Sequence, residues 1–259
     1  MSDNIYFHYT SLQSCLGILE SRSVWLSDYR FLNDKQELRR ALDLFLACYP
    51  EAQRNALASA ITWHDYANYH CVLSLSRSQK ILSQWRAYAD DGRGVALGFR
   101  EQFLKLAKID LVPCQYEEHE KYAKEIAERY SDFAKEVLVN REIHRAENDY
   151  MDWVDSRRDE FSKIICDLIA LKNPAFEEEQ EVRAVMPATR DEIKLRVREH
   201  LIVPYVETQF WPGDERSNDM HVVLPDIWLG PKSNELNRLA LMSGKYGFRY
   251  VQKYDCGYV

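Results

Sequence analysis

Apolar positions along the chain switch between two periods. Ile5–Tyr9 is aromatic and β-branched, as a short strand requires, and Thr10 or Ser11 caps a helix whose Leu12, Cys15, Leu16 and Leu19 recur at helical spacing. Ser23–Leu26 reads as a second strand. Residues 35–48 form an amphipathic helix with Leu38, Leu42, Phe45 and Leu46 on one side, and residues 50–66 form another. His70–Leu75 is a strand, Leu82–Tyr88 a helix, Asp90–Gly94 a turn and Val95–Phe99 a strand. From Tyr116 to Lys163 the chain is rich in charge and has no Gly or Pro. Its stripes, Ile126/Tyr130/Phe133/Val137 and Phe161/Ile164/Ile165/Leu168/Ile169, predict two long helices. Strands are expected again at Gln180–Met186, Ile193–Arg198, Leu201–Glu207, His221–Val223, Ile227–Leu229 and Arg249–Lys253, with a helix at Glu235–Ser243.

This order is mixed and does not alternate regularly. It predicts an α+β fold with a mixed β core, the early and late strands in one sheet, rather than a doubly wound nucleotide fold. Residues 1–259 are expected to form a single domain with a charged helical insertion at about 116–171.

Composition adds exclusions. The chain has 259 residues, 46% hydrophobic and 29% charged, with a net charge of −7. That mix excludes disordered and low-complexity classes and makes whole-molecule attraction to nucleic acid or anionic lipid unexpected. No apolar run approaches the ~20 residues of a membrane span, so no membrane association is expected. The six cysteines are scattered without a CxxC pair, and the N-terminus lacks signal-peptide character. Reduced thiols and a cytoplasmic location are the expectation.

Several motifs fail on inspection. Gly92, Gly94 and Gly98 precede a strand, whereas a dinucleotide fingerprint must follow one. No histidine–cysteine spacing suits zinc, so no metal is expected. The acidic clusters at Asp34/Glu37 and Glu177–Glu181 match the carboxylate part of a metal nuclease, but Glu181 is followed by Arg183 where such a site carries lysine.

Three segments remain: Phe7-His8-Tyr9-Thr10, Leu73-Ser74-Leu75-Ser76 and Glu179-Gln180-Glu181-Val182-Arg183. In a strand, Glu179 and Glu181 share a face, with Arg183 next on it. Two neighbouring carboxylates repel unless a cation or a function compensates. A strand-borne ExE, a Ser-x-Ser strand and a His-bearing first strand form the three-part pattern of ADP-ribosyltransferases.

The chain also resembles the bacterial family known as domain of unknown function 2971. The resemblance rests on Phe7-His8-Tyr9-Thr10-Ser11, Trp25-Leu26-Ser27-Asp28, Asn33-Asp34-Lys35-Gln36-Glu37, Ser83–Ala89, Gly94–Phe99, Lys172…Phe176…Glu179–Arg183 and Leu229-Gly230-Pro231. In outline that family looks like the ADP-ribosyltransferase superfamily, including toxin and phage-defence branches. Arginine-specific members carry Arg on the first strand. His8 stands there here and points to the His-bearing branches.

The resemblance implies NAD as a substrate. Glu181 would stabilise the oxocarbenium-like transition state at the ribose, and Glu179 would orient or deprotonate the nucleophile. His8 would bind the adenosine ribose, and Thr10 and the backbone after it would hold nicotinamide or phosphate. Ser74 and Ser76 would brace Glu181, and Tyr9, Trp25, Trp85 or Tyr88 would stack on a ring. His8, Ser74 and Glu181 should line one cleft, and Glu181→Gln should leave the fold nearly unchanged. The acceptor would be a nucleic acid or a protein, and the toxin reading adds an antitoxin partner. NAD hydrolysis on the same scaffold and a non-catalytic binding module are the alternatives. Lys194, Arg196 and Arg198 alternate with Leu195 and Val197, which predicts a strand with one basic and one buried face. The basic face would either dock a polyanion or pair with Asp191, Glu192 and Glu199.

Overall fold

A computed structural model describes residues 4–32, 37–144, 146–198, 200–209, 225–244, 246, 248 and 250–258. The strands are β1 (Ile5–Thr10), β2 (Ser23–Asp28), β3 (Tyr69–Ser76), β4 (Val95–Arg100), β5 (Asp110–Pro113), β6 (Glu181–Ala188), β7 (Lys194–Arg198), β8 (Leu201–Gln209), β9 (Asp226–Leu229) and β10 (Val251–Lys253). The helices are α1 (Leu12–Ser21), α2 (Glu37–Ala47), α3 (Glu51–Ala67), α4 (Leu82–Tyr88), α5 (Glu101–Leu106), α6 (His119–Arg129), α7 (Ser131–Ile143), α8 (Glu147–Ser156), α9 (Arg158–Ile169) and α10 (Glu235–Ser243).

The strands form one sheet in the order β10-β9-β4-β1-β3-β2-β8-β7, with β6 paired to β3 and β5 paired to β6. Every described pairing is antiparallel except β9–β10. The fold is α+β, and early and late strands share one sheet: β9 lies on β4, β8 on β2 and β6 on β3.

One face of the sheet buries Tyr6, Val24, Leu26, Leu73, Leu75, Leu97 and Val182 with Cys15 and Leu19 of α1 and Leu241 of α10. The other face is covered in two places. Over β3 and β6, Val72 and Val185 pack on Ile165 and Ile169 of α9. Behind α9 the helices α2, α3 and α6–α8 close a second core around Phe45, Leu57, Val137 and Phe161. Over β1 and β4, Phe7, Tyr9 and Ala96 pack on Trp85 and Ala89 at α4. Ser74 lies exposed on this face.

The charged stretch forms four helices rather than two. Tyr130 (φ −102°, ψ 15°) separates α6 from α7, and Arg157 (φ −106°, ψ 25°) separates α8 from α9. Each break lets the following helix turn its own apolar stripe toward α2 and α3, which one long straight helix would not allow. The helical layer is therefore the stretch 119–169 together with the earlier α2 and α3. Two short elements, α5 and β5, lie outside the strong periodicities and were not expected.

The expectation for Lys194–Arg198 needs correction. Leu195 and Val197 are 65% and 75% exposed, not buried, because β7 pairs only with β8 and no layer covers that face of the hairpin among the described residues. The strand expected at His221–Val223 lies outside the described residues, as do Asn33–Gln36, Arg249 and Glu199.

Candidate functional site

β3 carries the site. On one edge it pairs with β6 along its length, from Tyr69↔Ala188 to Ser76↔Glu181. On the other edge it meets β1 only at Phe7↔Ser76 and β2 only at Ser27↔Val72 and Asp28↔Cys71. Between these contacts β1 and β2 part, and among the described residues Leu73–Leu75 has no registered strand partner on that edge. The Ser74 carbonyl in this notch meets the His8 side chain instead, with Nδ1 3.1 Å away. Burial lowers the His8 pKa, the Ser74 contact opposes this, and Arg196 lowers it further.

Glu181 begins β6 and is 5% exposed. Its backbone N–H donates to the Tyr116 hydroxyl at 2.7 Å. Its carboxylate accepts from Lys172 and lies 3.4 Å from Arg183 Nε and 3.7 Å from Cys114 Sγ. Burial works against its charge. Arg183 and Lys172 outweigh burial and hold the carboxyl at about 2. Lys172 is likewise raised: burial opposes its charge, and Glu181 and Glu179 more than restore it. Arg183 Nη2 reaches Glu37 of α2 at 2.5 Å, and its Nη1 donates to the Ile169 carbonyl at 2.6 Å. Glu37, Arg183, Glu181, Lys172 and Glu179 thus form one ionic chain between the sheet and the helical layer.

The two glutamates come together by a different route from the one predicted. Glu179 ends a 3-10 turn (Pro174–Glu179), and Gln180 adopts left-handed φ 47°, so strand alternation does not relate residues 179 and 181. Lys172 joins them instead, its ammonium group donating to both carboxylates. Arg183 does share the Glu181 face, as expected.

Ser74, registered with Arg183, lies on the same face as Glu181. Ser76 is 2% exposed and does not brace Glu181, because its hydroxyl donates to the Glu179 carbonyl at 2.8 Å. Ser74 meets His8 through its carbonyl. His8 and Glu181 lie on opposite faces of the sheet, so the single cleft expected of His8, Ser74 and Glu181 is not formed. Phe7, Ser76 and Glu181 share one face by register, so His8, next to Phe7, leaves β1 toward the other.

The ring-stacking candidates divide. Tyr9 and Trp85 are 5% and 0% exposed and pack edge to face at 4.9 Å. The Tyr9 hydroxyl donates to the Ser78 carbonyl and the Trp85 indole N–H to the Gln79 carbonyl, so both are core residues, not ligand platforms. Thr10 is 8% exposed, at the end of β1. Trp25 and Tyr88 are 42% and 40% exposed. Trp25 sits against Tyr205 at 4.7 Å, and the Arg196 guanidinium lies 5.4 Å from the Trp25 ring and donates to Ser27 Oγ at 2.7 Å. Lys194 pairs with Glu207 across the hairpin, not with the neighbouring acids named above.

Sequence reasoning passed over Lys172, Glu37, Cys114 and Tyr116 as site members. Lys172 and Glu37 stand among the resembling segments, but no local period links either to residue 181. A groove of about 500 Å³ opens beside the ionic chain, lined by Glu37, Arg39, Arg40, His119, Lys172 and Asn173 among others. His8, Ser74 and Ser76 do not line it. Among the described residues no group of three or more His, Cys, Asp or Glu could hold a metal ion, and no helix is long and apolar enough to cross a membrane.

The segment that holds Lys172, Glu179, Glu181 and Arg183 is also where comparison with known proteins gives a result. Residues 84–184 match the model of the family described as Protein of unknown function (DUF2971). The match runs from α4 through the helical layer to the first half of β6 and is a similarity of that stretch to the family. No curated protein and no solved structure matches the chain.

Proposed function

We propose that the protein is an NAD-dependent ADP-ribosyltransferase acting at the notch of β3. The observation that carries this reading is Glu181, an ionised carboxylate held by Lys172 and Arg183 on the strand paired to β3, whose Ser74 carbonyl meets His8. Breaking the bond between nicotinamide and ribose develops positive charge on the sugar. A carboxylate already ionised and held in place opposes that charge with little reorganisation. In this reading Glu181 yields Lys172 and accepts the ribose 2′-hydroxyl. Nicotinamide leaves as the neutral base, the acceptor nucleophile bonds to the anomeric carbon, and Glu179 takes its proton. His8 reaches the adenosine ribose through the notch from the face opposite Glu181, and Trp25, 42% exposed, stacks on a ring. A toxin or phage-defence effector is the setting that the resemblance suggests, with a nucleic acid or protein as acceptor and NAD hydrolysis as the variant with water.

A specific observation favours a second reading, a non-catalytic module. Glu181 is 5% exposed and paired with both Lys172 and Arg183, as a clamp between two layers would be. One experiment separates the two. The protein is expressed with NAD, and protein, DNA and RNA are searched by mass spectrometry for ADP-ribose adducts, with nicotinamide release measured in parallel. The transferase reading expects both signals in the wild type and their loss in Glu181→Gln. Release without adducts identifies the hydrolase. Neither signal, or unchanged signals in Glu181→Gln, overturns the assignment.

A further inference from the structure

Outside the notch, cationic side chains from three separate segments converge on a concavity of about 420 Å³ lined by Arg93, Pro231, Lys232, Ser233 and Lys253. Arg93 lies in the turn before β4, Lys232 in the loop after β9, and Lys253 ends β10. The two loops are locked to each other. The Gly230 N–H donates to the Gly94 carbonyl at 3.0 Å and the Lys232 N–H to the Gly92 carbonyl at 2.9 Å. Gly92 has φ +82°, and a Cβ at Gly230 would collide with the Gly92 carbonyl, so this closure needs glycine at both positions. The cations are thus mounted on ordered backbone, and less ordering remains to oppose binding.

Two carboxylates stand near. Asp91 accepts from Lys232 at 3.1 Å and from the Tyr258 hydroxyl at 2.7 Å, with Arg93 at 3.8 Å. Glu235 lies 3.1 Å from Lys253. Their side chains are 42% and 62% exposed, and ion pairs at such exposure hold weakly. Among the described residues, the three lining cations are paired by two exposed carboxylates, which leaves an excess of positive charge there in a protein whose net charge is −7. Ser233 is 4% exposed, and its oxygen accepts from Asn237, so its hydroxyl proton is directed elsewhere. α10 starts immediately after Asn234, and its positive dipole end adds to the field.

We propose that this concavity binds the diphosphate group of a small molecule. Each phosphoryl group brings about −1 to −2 charge and several acceptor oxygens. Two linked groups match three cations and a hydroxyl better than one carboxylate does, and Arg93 supplies a planar fork suited to phosphoryl oxygens. The site shares no residue with His8, Ser74 or Glu181, so it stands or falls apart from the transferase reading.

The test is isothermal titration of the full chain with pyrophosphate and, separately, with ADP, at fixed ionic strength. Saturable one-site binding is expected, weakened about tenfold or more in Arg93→Gln/Lys253→Gln and reduced by added salt. Binding of pyrophosphate alone assigns the site to a small inorganic ligand, and binding of both assigns it to a nucleoside diphosphate group. Arg93 is 56% exposed, so Arg93→Gln alone, expected to weaken binding about threefold, serves if the double variant does not fold. No saturable heat from either probe up to about 10 mM, or a variant that binds within twofold of wild type, overturns the proposal.

Discussion

At the residue scale, the ionic chain around Glu181 sets the terms for any substitution there. A glutamine at 181 has nearly the shape of the glutamate but leaves Lys172 and Arg183 facing an uncharged partner in a buried place. The expectation of a nearly unchanged fold therefore gives way. Glu181→Gln should cost about 3 kcal/mol, the scale of breaking one partner out of a buried pair. Urea unfolding checks the cost, and Glu181→Gln/Lys172→Gln should recover part of it because the stranded ammonium is then gone. A single variant as stable as wild type would mean that the pairs contribute little. The double variant also helps to assign any loss of NAD turnover: if stability returns and turnover does not, the loss belongs to the carboxylate and not to unfolding.

At the element scale, β3 and β7 differ in how far their local pattern carries. β3 was legible because His70–Leu75 is a short apolar run bounded by polar residues, and it pairs with β6 along its length to Ser76↔Glu181. β7 alternates clearly, yet its Leu195/Val197 face is open, since alternation states that two faces differ and not which is covered. Val197 is 75% exposed on this edge strand. Val197→Lys should leave stability within about 0.5 kcal/mol and reduce self-association, read by light scattering across a concentration series. A fall in stability well beyond that would place a buried partner on Val197. The turn into β4 is held more tightly. A Cβ at Gly94 would collide with the Thr10 carbonyl, so Gly94→Ala should destabilise by about 1–3 kcal/mol, seen as a lower melting temperature. An unchanged melting temperature would show that the two backbones separate freely.

At the scale of the whole molecule, the helical layer meets the sheet over two buried histidines. His64 of α3 and His70 of β3 lie with ring centroids 5.6 Å apart. His64 contacts Asn68 and Ser162, whereas both His70 ring nitrogens are buried without a hydrogen-bond partner. Burial, and then Arg158, lowers His64 to about 4. Burial, then His64, Arg30 and Arg158, lowers His70 to about 3. The unfolded chain takes up these protons near pH 6.5, before the folded protein does. Stability is therefore complete above pH 6.5 and falls as pH drops toward 4 and 3, by on the order of 3 kcal/mol for the first proton of the pair. Glu181 adds a later loss, between about 4.5 and 2, because its folded value is depressed. His70→Phe should flatten the fall between pH 6.5 and 4, measured as urea midpoints at pH 7 and 4.5. An identical slope in the variant would place the acid sensitivity elsewhere.

Local order was in the chain itself. Periods of two and of about 3.6, with caps such as Ser11 and Asn234, determined most strands and helices and the α+β class, because both signals act between residues a few positions apart. The similarity of residues 84–184 to the DUF2971 family was legible there too. Tertiary structure alone decided who partners that carboxylate. Lys172 reaches it across a turn with a left-handed residue, and Glu37 meets Arg183 from 146 positions away. It also decided that Tyr9 and Trp85 face inward while Trp25 faces out. An aromatic residue carries the same chemistry in a core or on a platform, and only the layer packed against it determines which it becomes.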